Sequence, residues 1–239
     1  MSLLKNRLAL NMAINQTTKE YSSHVDNYYI DSSYYDQFLL TDLPNGSTVL
    51  DVGCGNGLFL KKLSLLNKNL QLFGVEANQF LIDKARQNTP LAHMDLVDLN
   101  QGQLPFANDT FDSIFCLDVI EHLVNPLDLL KEIKRVLKPS GHLILCTPDR
   151  FAFLADQRFG KNFGELLIFN LKKLLGKTFV DPGHIHEFDI FELKKILRQG
   201  GLLFVDHYQS PWRFRVKLFL RLIPFIRHSS FIFVLKKVQ

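Results

Sequence analysis

The sequence has few cysteines, and it lacks an uncharged apolar run long enough to cross a membrane. Its three cysteines, Cys54, Cys116 and Cys146, are far apart, which favours reduced structural thiols over a disulfide framework. A transmembrane helix needs about 20 consecutive apolar residues, and no such run occurs. The short, interrupted apolar stretch at 8–14 does not fit a signal peptide. We therefore expect a cytoplasmic protein.

Acidic residues are missing beyond Asp206, where every charged side chain is basic. That segment contains seven basic residues, Arg213, Arg215, Lys217, Arg221, Arg227, Lys236 and Lys237. The formal net charge of +4 therefore comes from the C-terminal segment, which argues against broad nucleic-acid binding. A length of 239 residues, with 46% hydrophobic and 22% charged residues, is typical of one globular domain spanning 1–239.

One stretch, TVLDVGCGNGLFL at 48–60, combines a short apolar run with closely spaced glycines. The apolar run ends at Asp51, and Gly53, Gly55 and Gly57 lead into a segment that is compatible with a helix. Glycine adopts positive φ readily, and it has no Cβ to keep a ligand away from the main chain. The stretch therefore predicts a strand, a tight turn and a helix. Dinucleotides and S-adenosylmethionine both bind over such turns.

The spacing of the glycines separates these two ligands. When the dinucleotide fingerprint G-x-G-x-x-G/A is aligned on Gly53, its sixth position falls on Leu58, which opposes close packing of helix on strand. The pattern D-x-G-x-G-x-G instead resembles motif I of the class I S-adenosylmethionine-dependent methyltransferases. This resemblance implies S-adenosylmethionine as the cofactor, with Asp51, Gly53, Gly55 and Gly57 at its site.

Glu76 follows a second apolar run, at 70–75. An acidic side chain at such a strand end, about 20 residues beyond the glycine turn, accepts hydrogen bonds from a ribose diol in dinucleotide-binding folds. Taken alone, Glu76 fits a solvated carboxylate at a strand end better. Together with motif I, its position predicts that Glu76 and its neighbour Ala77 contact the cofactor.

Another segment, DLNQGQLPF at 98–106, resembles the D-L-x(n)-L-P-F segment of the same family. The resemblance implies that the side chain of Asp98 accepts a hydrogen bond from the adenine amino group. It also implies that the backbone of Leu99 reads the edge of the ring. Asp95 is the alternative to Asp98, because the register of the preceding strand, expected within 91–97, is open.

A fourth strand is expected at 109–117, and it runs into DVIEHL at 118–123. The hexapeptide resembles the D-V-x-E-H-L signature of the small-molecule, type 11-like branch of the family. Leu117, at the end of the expected strand, is a further candidate for contact with the cofactor. The Asn/Asp-Pro-Pro-Tyr motif of enzymes that methylate exocyclic amino groups or glutamine is absent. Alternating strands and helices indicate an open α/β sheet. The resemblance implies a Rossmann-like, seven-stranded, mostly parallel sheet in the order 3-2-1-4-5-7-6, with helices on both faces.

Three histidines are candidate general bases. His122 lies in DVIEHL, and His184 and His186 lie in GHIHEF at 183–188, a type of segment that borders the substrate site in related enzymes. His184 and His186 are two residues apart and could share a metal ion. No third group of ligands accompanies them, so we expect no metal site.

Two segments lie outside the minimal pattern. Residues 1–40 are expected to form an N-terminal helical cap, whose tyrosines either pack on the sheet or form a wall of the active site. Tyr28 is the candidate for contact with the cofactor. Residues 150–182 form an insertion, which either adds packing or acts as a lid over an apolar acceptor pocket.

The segment at 212–226, if helical, carries Arg213, Lys217 and Arg221 on one stripe. This stripe is either the solvated edge of a packed helix or a contact with an anionic membrane surface or a lipid-linked acceptor. The combined motifs predict methyl transfer from S-adenosylmethionine to a small-molecule acceptor, with a hydroxyl favoured. Transfer to carbon or nitrogen, and a cofactor-binding scaffold without turnover, are the alternatives.

Overall fold

The computed structural model describes residues 43–66, 69–101, 103–148, 185–186, 188–209 and 230–238. Several predicted features lie outside these residues: the N-terminal cap with Tyr28, the insertion at 150–182, His184 and the basic stripe at 212–226. In the part of the chain that is described, no helix is long and apolar enough to span a bilayer.

Seven strands form one sheet. They are β1 (Thr48–Val52), β2 (Gln71–Glu76), β3 (His93–Leu96), β4 (Phe111–Leu117), β5 (Leu137–Pro148), β6 (Leu202–Gln209) and β7 (Ser230–Lys237). The strand order is β3-β2-β1-β4-β5-β7-β6. Strand β7 runs antiparallel to both β5 and β6, whereas β1, β4 and β5 pair in parallel, as do β2 and β3. The predicted strand order is confirmed.

The helices begin at recognisable sequence signals. They are α1 (Leu58–Ser64), α2 (Gln79–Asn88), α3 (Pro126–Val136) and α4 (Ile190–Gln199). Asn78 caps α2 by accepting hydrogen bonds from the amides of Phe80 and Leu81. Asp189 and Glu192 form a capping box at the start of α4. Proline at the first position of α3 costs no hydrogen bond, because that amide would have no partner within the helix.

The chain divides by its internal contacts into two compact units. Among the residues described, the first unit comprises 43–47 and 53–97, and the second comprises 48–52 and 98–238. Within the first unit, Gly74 of β2 allows very close packing, because a Cβ there would lie 2.7 Å from the sulfur of Met94 and 2.8 Å from that of Cys54. Within the second unit, the largest fully buried side chains include those of Phe111, Phe115 and Phe233.

Strand β5 starts earlier than the local sequence predicts. The turn residues at 138–141 suggest a strand that begins at His142, but β5 begins at Leu137, directly after α3. Leu137 is fully buried and pairs with Phe111, and the register shifts before the next pair, Ser113 with His142. The pairing with β4 therefore overrides the turn signal, and the register shift takes up the extra residues.

Candidate functional site

The glycine turn of the first unit adopts the backbone that its sequence predicts. Gly53, Gly55 and Gly57 have φ values of 75°, 53° and 77°, in the left-handed region that favours glycine. A Cβ at Gly57 would lie 2.9 Å from both the Cα and the Cβ atoms of Ala85 in α2. The last glycine is therefore needed both for its φ and for the close approach of α2.

The turn is fixed by hydrogen bonds from β2 and from the end of α2. The amides of Gly53 and Cys54 both donate to the carbonyl of Val75, at 2.8 and 3.0 Å. The side chain of Asn88 donates to the carbonyl of Asn56 at 2.9 Å, and the hydroxyl of Thr89 donates to the carbonyl of Gly57 at 3.1 Å. These contacts hold the main chain of the turn in one conformation before any ligand binds.

Glu76 ends β2 and is oriented by main-chain amides. Its Oε2 accepts from the amide of Gly55 at 3.1 Å, and its Oε1 accepts from the amide of Asn78 at 3.0 Å. The carboxylate has four lone pairs in all, so it retains acceptor capacity for a ligand hydroxyl. Burial raises the pKa of Glu76, and hydrogen bonds from the amides of Asn78, Gly55 and Ala77 oppose this rise.

The described residues of the first unit fit S-adenosylmethionine. The three glycines leave no Cβ over the turn, and Glu76 offers two oriented oxygens to a pair of hydroxyl groups. Ala77 follows directly and is exposed. The geometry therefore suits a ligand that carries a ribose diol.

The two candidate residues for the adenine differ in their surroundings. Asp98 is exposed, and its carboxylate accepts from the amide of Asn100 at 3.0 Å and from the side chain of Gln101 at 3.1 Å. Asp98 thereby caps the short 3₁₀ turn Leu99–Gln101, in which Leu99 is buried. Asp95 lies within β3 and pairs with His93 at 3.2 Å. Asp98 thus stands at a turn, whereas Asp95 belongs to the strand.

In the second unit, two acidic residues, Asp51 and Asp118, lie at or directly after the carboxyl ends of the parallel strands β1 and β4. Asp51 of β1 is buried, and Leu117 ends β4 with its side chain buried. Asp118 follows with a φ of 54°, an uncommon conformation for a residue other than glycine. Its amide donates to the carbonyl of Cys146 at 2.9 Å. The DVIEHL segment therefore turns sharply away from the sheet at Asp118.

Glu121 lies in the 3₁₀ turn that follows, Ile120–His122, and is almost completely buried. Its Oε2 accepts from the hydroxyl of Thr147 in β5 at 2.9 Å. Burial, followed by the neighbouring charge of Asp118, raises the pKa of Glu121 well above its ordinary value. No separate role was expected for Glu121 or Thr147. A second acidic residue directly after the apolar pair Val119–Ile120 was the available signal.

Two of the three candidate histidines lie among the described residues. His122 is half-buried at the end of the 3₁₀ turn. His186 lies against the same turn, because its amide donates to the carbonyl of Glu121 at 2.9 Å and its Nε2 is 3.3 Å from the carbonyl oxygen of Val124. Its ring stacks on Phe188, with the centroids 5.6 Å apart. Within the described part of the chain, no group of three or more potential ligands is arranged to hold a metal ion.

Comparison with known proteins identifies the family. A family model described as a methyltransferase domain matches residues 21–207. The chain is 30% identical over 192 residues to the tRNA U34 carboxymethyltransferase of Nautilia profundicola, covering 71% of this chain and 64% of the relative. It is also 30% identical over 210 residues to the malonyl-[acyl-carrier protein] O-methyltransferase of Legionella pneumophila, covering 82% of this chain and 65% of that relative.

These similarities have a limited extent, since the chain spans between 35% and 65% of the length of the curated relatives it matches. Among solved structures, an S-adenosylmethionine-dependent methyltransferase from Aquifex aeolicus has the same fold, with a TM-score of 0.59 and 19% identity over 91% of this chain and 98% of that one. The chain therefore belongs to the methyltransferase-domain family.

Proposed function

We propose that the protein transfers the methyl group of S-adenosylmethionine to an oxygen atom of a small-molecule acceptor. The observation that carries the proposal is the contact between Nε2 of His186 and the carbonyl of Val124. A carbonyl oxygen only accepts hydrogen bonds, so Nε2 bears the hydrogen and Nδ1 is the proton acceptor of the neutral ring. An oriented imidazole suits removal of a proton from a hydroxyl group. The similarity to the Legionella O-methyltransferase supports the same choice of acceptor atom.

In this proposal, the cofactor residues act by binding and orientation. Glu76 accepts hydrogen bonds from the ribose hydroxyls, and Asp98 with the backbone of Leu99 binds the adenine. The remaining contacts come from Asp51, Gly53, Gly55, Gly57, Ala77 and Leu117, with Tyr28 as a further candidate. The oriented oxygens of Glu76 support the ribose role, and the position of Asp98 at the head of a turn supports the adenine role.

When bound, S-adenosylmethionine would supply an electrophilic methyl group on a positively charged sulfur, and the sulfur would keep the electron pair of the broken C–S bond as a neutral thioether. The acceptor oxygen forms the new bond to the methyl carbon, and its proton passes to Nδ1 of His186. His122 and His184 are the other candidates for that proton. The remaining task of the chain is to hold donor and acceptor in line and to exclude water.

The proposal is tested by methyl transfer from radiolabelled S-adenosylmethionine to a panel of phenols, alcohols and carboxylic acids, with mass spectrometry of any product. We expect an O-methylated product and a loss of kcat of about 100-fold or more in His186→Gln, the range usual for a general base. His93→Gln is the matched control, because His93 is an exposed residue of β3 that pairs with Asp95. A product methylated on nitrogen or carbon would contradict the choice of acceptor, and an unchanged kcat in His186→Gln would contradict its role. Cofactor binding without transfer to any compound would favour a scaffold.

The similarity to the Nautilia enzyme favours a second candidate, in which the acceptor is a nucleotide of tRNA. The chain covers 64% of that relative, and the charge distribution of the sequence argues the other way. Incubation of the protein with bulk tRNA and radiolabelled cofactor decides between the two. Label in tRNA at physiological salt would establish the second candidate. Label only in small molecules would remove it.

The acceptor is further proposed to be hydrophobic or lipid-linked. The apolar runs at 166–175 and 212–226, and the basic stripe in the latter, support contact with an anionic membrane surface by an otherwise cytoplasmic protein. Flotation with vesicles of phosphatidylglycerol at low salt tests this contact, with vesicles of phosphatidylcholine as the control. Protein that stays at the bottom of the gradient with both kinds of vesicle would contradict it.

A further inference from the structure

The Glu121 carboxyl group is the most unusual polar group among the described residues. Only 1% of the residue is exposed, and its Oε2 accepts from the hydroxyl of Thr147 at 2.9 Å. Its Oε1 is buried and has no hydrogen-bond partner among the described residues. An ionised carboxylate with a bare, buried oxygen would lose the hydration of that oxygen and gain nothing in return. The geometry therefore favours the neutral acid.

The charges around Glu121 favour the same state. The buried thiol of Cys116 has a pKa raised by burial and then by the carboxyl groups of Glu121, Asp51 and Asp118, so all three act on one small region. Ionisation of Glu121 would add negative charge beside Asp118. The titratable groups of this region among the described residues are Asp51 of β1, Cys116 of β4, Asp118 and His122 beside Glu121 in the chain, Cys146 of β5, whose sulfur lies 3.4 Å from Oδ1 of Asp118, and His186.

Glu121 also connects β5 with the residues that carry His186. Its side chain bonds to Thr147, and its main-chain carbonyl accepts from the amides of Ile185 and His186 at 2.8 and 2.9 Å. These two bonds use both lone pairs of the carbonyl. Three residues further on, the carbonyl of Val124 contacts Nε2 of the same histidine at 3.3 Å. The turn at 121–124 therefore holds His186 at its main chain and at its ring.

We propose that Glu121 is a neutral carboxylic acid and the positioning residue for His186. Its buried side chain anchors the turn to Thr147, and the turn fixes the place and the tautomer of the imidazole. Because Oε1 is inaccessible, Glu121 acts through His186 and does not touch the acceptor itself. The functional meaning of this role rests on the proposed methyl transfer to oxygen. The structural statement about the imidazole can be tested without it.

Three substitutions remove different parts of the contact between Glu121 and Thr147. Glu121→Gln keeps the shape, the absence of charge and the acceptor for Thr147, and its NH₂ group takes the place of the acidic O–H. Glu121→Ala removes the anchor altogether. Thr147→Val removes only the hydroxyl donor and keeps the shape of the side chain, so it remains informative if Glu121→Ala fails to fold. Glu132→Gln is the matched control, since Glu132 pairs with Arg135 at 2.7 Å.

The test is side-chain NMR of ¹⁵N-labelled protein without cofactor or acceptor, with the signals of His186 assigned by comparison with His186→Gln. We expect the Nε2-protonated tautomer in the wild type, in Glu121→Gln and in Glu132→Gln. In Glu121→Ala, the ¹⁵N chemical shifts of the two ring nitrogens of His186 should move towards the average of the two tautomers. Thr147→Val should change these chemical shifts in the same direction but by less. An unchanged tautomer in both Glu121→Ala and Thr147→Val, or its loss in Glu121→Gln, would overturn the positioning role.

Thermal unfolding against pH tests the neutral state. If the folded protein keeps the proton of Glu121 to higher pH than the unfolded chain, stability contributed by this group is lost as the pH rises above the ordinary glutamate range. Glu121→Gln cannot lose that proton, so its melting temperature should gain on that of the wild type as the pH is raised. A difference between the two that is constant over this range would contradict the neutral acid. Both readouts are independent of turnover, so a failure of the methyl-transfer assay alone would refute only the proposed function.

Discussion

Glu76 is the last residue of β2 in the first unit, and Glu121 lies four residues beyond β4 in the second, and their surroundings differ. Burial raises the pKa of both side chains. At Glu76, main-chain amides oppose that rise and leave acceptor capacity on the carboxylate. At Glu121, the charge of Asp118 reinforces it, and one oxygen is buried without a partner among the described residues. We propose that the first carboxyl group binds a ligand, whereas the second stays neutral and anchors its turn.

This difference indicates how the two residues serve function. Amides aimed at a carboxylate stabilise its ionised form and orient it for hydroxyl groups of a ligand. A carboxyl group enclosed by apolar side chains and other acids contributes by what it anchors, which here is the main chain beside His186. A position at or soon after the end of a strand therefore does not by itself distinguish a binding residue from a positioning residue. The hydrogen-bond partners of the carboxyl group make that distinction.

The largest effect is expected from disrupting the turn that supports Glu76. Gly57→Ala combines a positive φ with a Cβ placed 2.9 Å from two atoms of Ala85. Strain and overpacking together should lower the free energy of unfolding by about 2–5 kcal/mol, as measured by urea denaturation. The turn around Glu121 belongs to the second unit and contains neither Gly57 nor Ala85.

Gly46→Ala is the matched control for that substitution. Gly46 has a φ of 80°, close to that of Gly57, but nothing lies within 4 Å of its added Cβ. Only the backbone cost applies, so we expect a loss of about 1 kcal/mol. Equal losses at the two positions would show that the contact with α2 contributes nothing.

A smaller effect is expected from a third kind of carboxylate, that of Glu132 in the second unit. The Arg135 guanidinium donates to both oxygens of Glu132 and to the carbonyls of Leu104 and Phe106. Arg135→Lys loses this forked geometry, which should lower the free energy of unfolding by about 1–2 kcal/mol. Urea denaturation measures this loss.

Arg86→Lys in the first unit is the comparison for Arg135→Lys. Arg86 donates to the carbonyl of Met94, and its ion pair with Asp83 is half-exposed. We expect a change of about 0.5 kcal/mol or less. A loss at Arg86 as large as that at Arg135 would contradict the view that the multiple contacts of Arg135 set its contribution.

A further effect at Glu132 concerns pH, and its pH dependence has the opposite sign to that at Glu121. The hydrogen bond from Arg135 is the largest influence on the pKa of Glu132 and lowers it. Stability from this pair is therefore present above the ordinary glutamate pKa and is lost as the pH falls through the lowered value. Glu132→Gln should remove about 0.5–1 kcal/mol of stability at neutral pH and less in acid. A loss that does not shrink on acidification would contradict this assignment.

Local sequence patterns predicted the first unit well. The glycine turn and Glu76 are marked in the local sequence by closely spaced glycines and by an acidic residue after an apolar run, and the positive φ values occur at the glycine positions. The supports of the turn, Asn88 and Thr89, were not predicted, because they contact it across 32 positions of the sequence. The glycine motif predicts the conformation of the turn, whereas the hydrogen bonds that stabilise it come from residues distant in the sequence.

The second unit was predicted less completely, because its defining contacts are non-local. The start of β5 at Leu137 depends on pairing with Phe111, and the turn signal at 138–141 cannot report that pairing. The side chain of Glu121 accepts a hydrogen bond from Thr147, 26 residues away, and a local pattern cannot report that contact. The roles of Tyr28 and His184, and of the segments at 150–182 and 212–226, stay predictions, since these residues lie outside the described parts of the chain.

The central claim, that the glycine turn and Glu76 bind the cofactor, is tested most directly by calorimetric titration with S-adenosylmethionine and S-adenosylhomocysteine. The wild type should bind both, and Glu76→Ala should bind each at least about tenfold more weakly, since a hydrogen bond to a charged group contributes about 1.5–3 kcal/mol. Glu132→Gln should retain the affinity of the wild type. An absence of binding by the folded wild type, or equal affinities in the wild type and Glu76→Ala, would contradict the account.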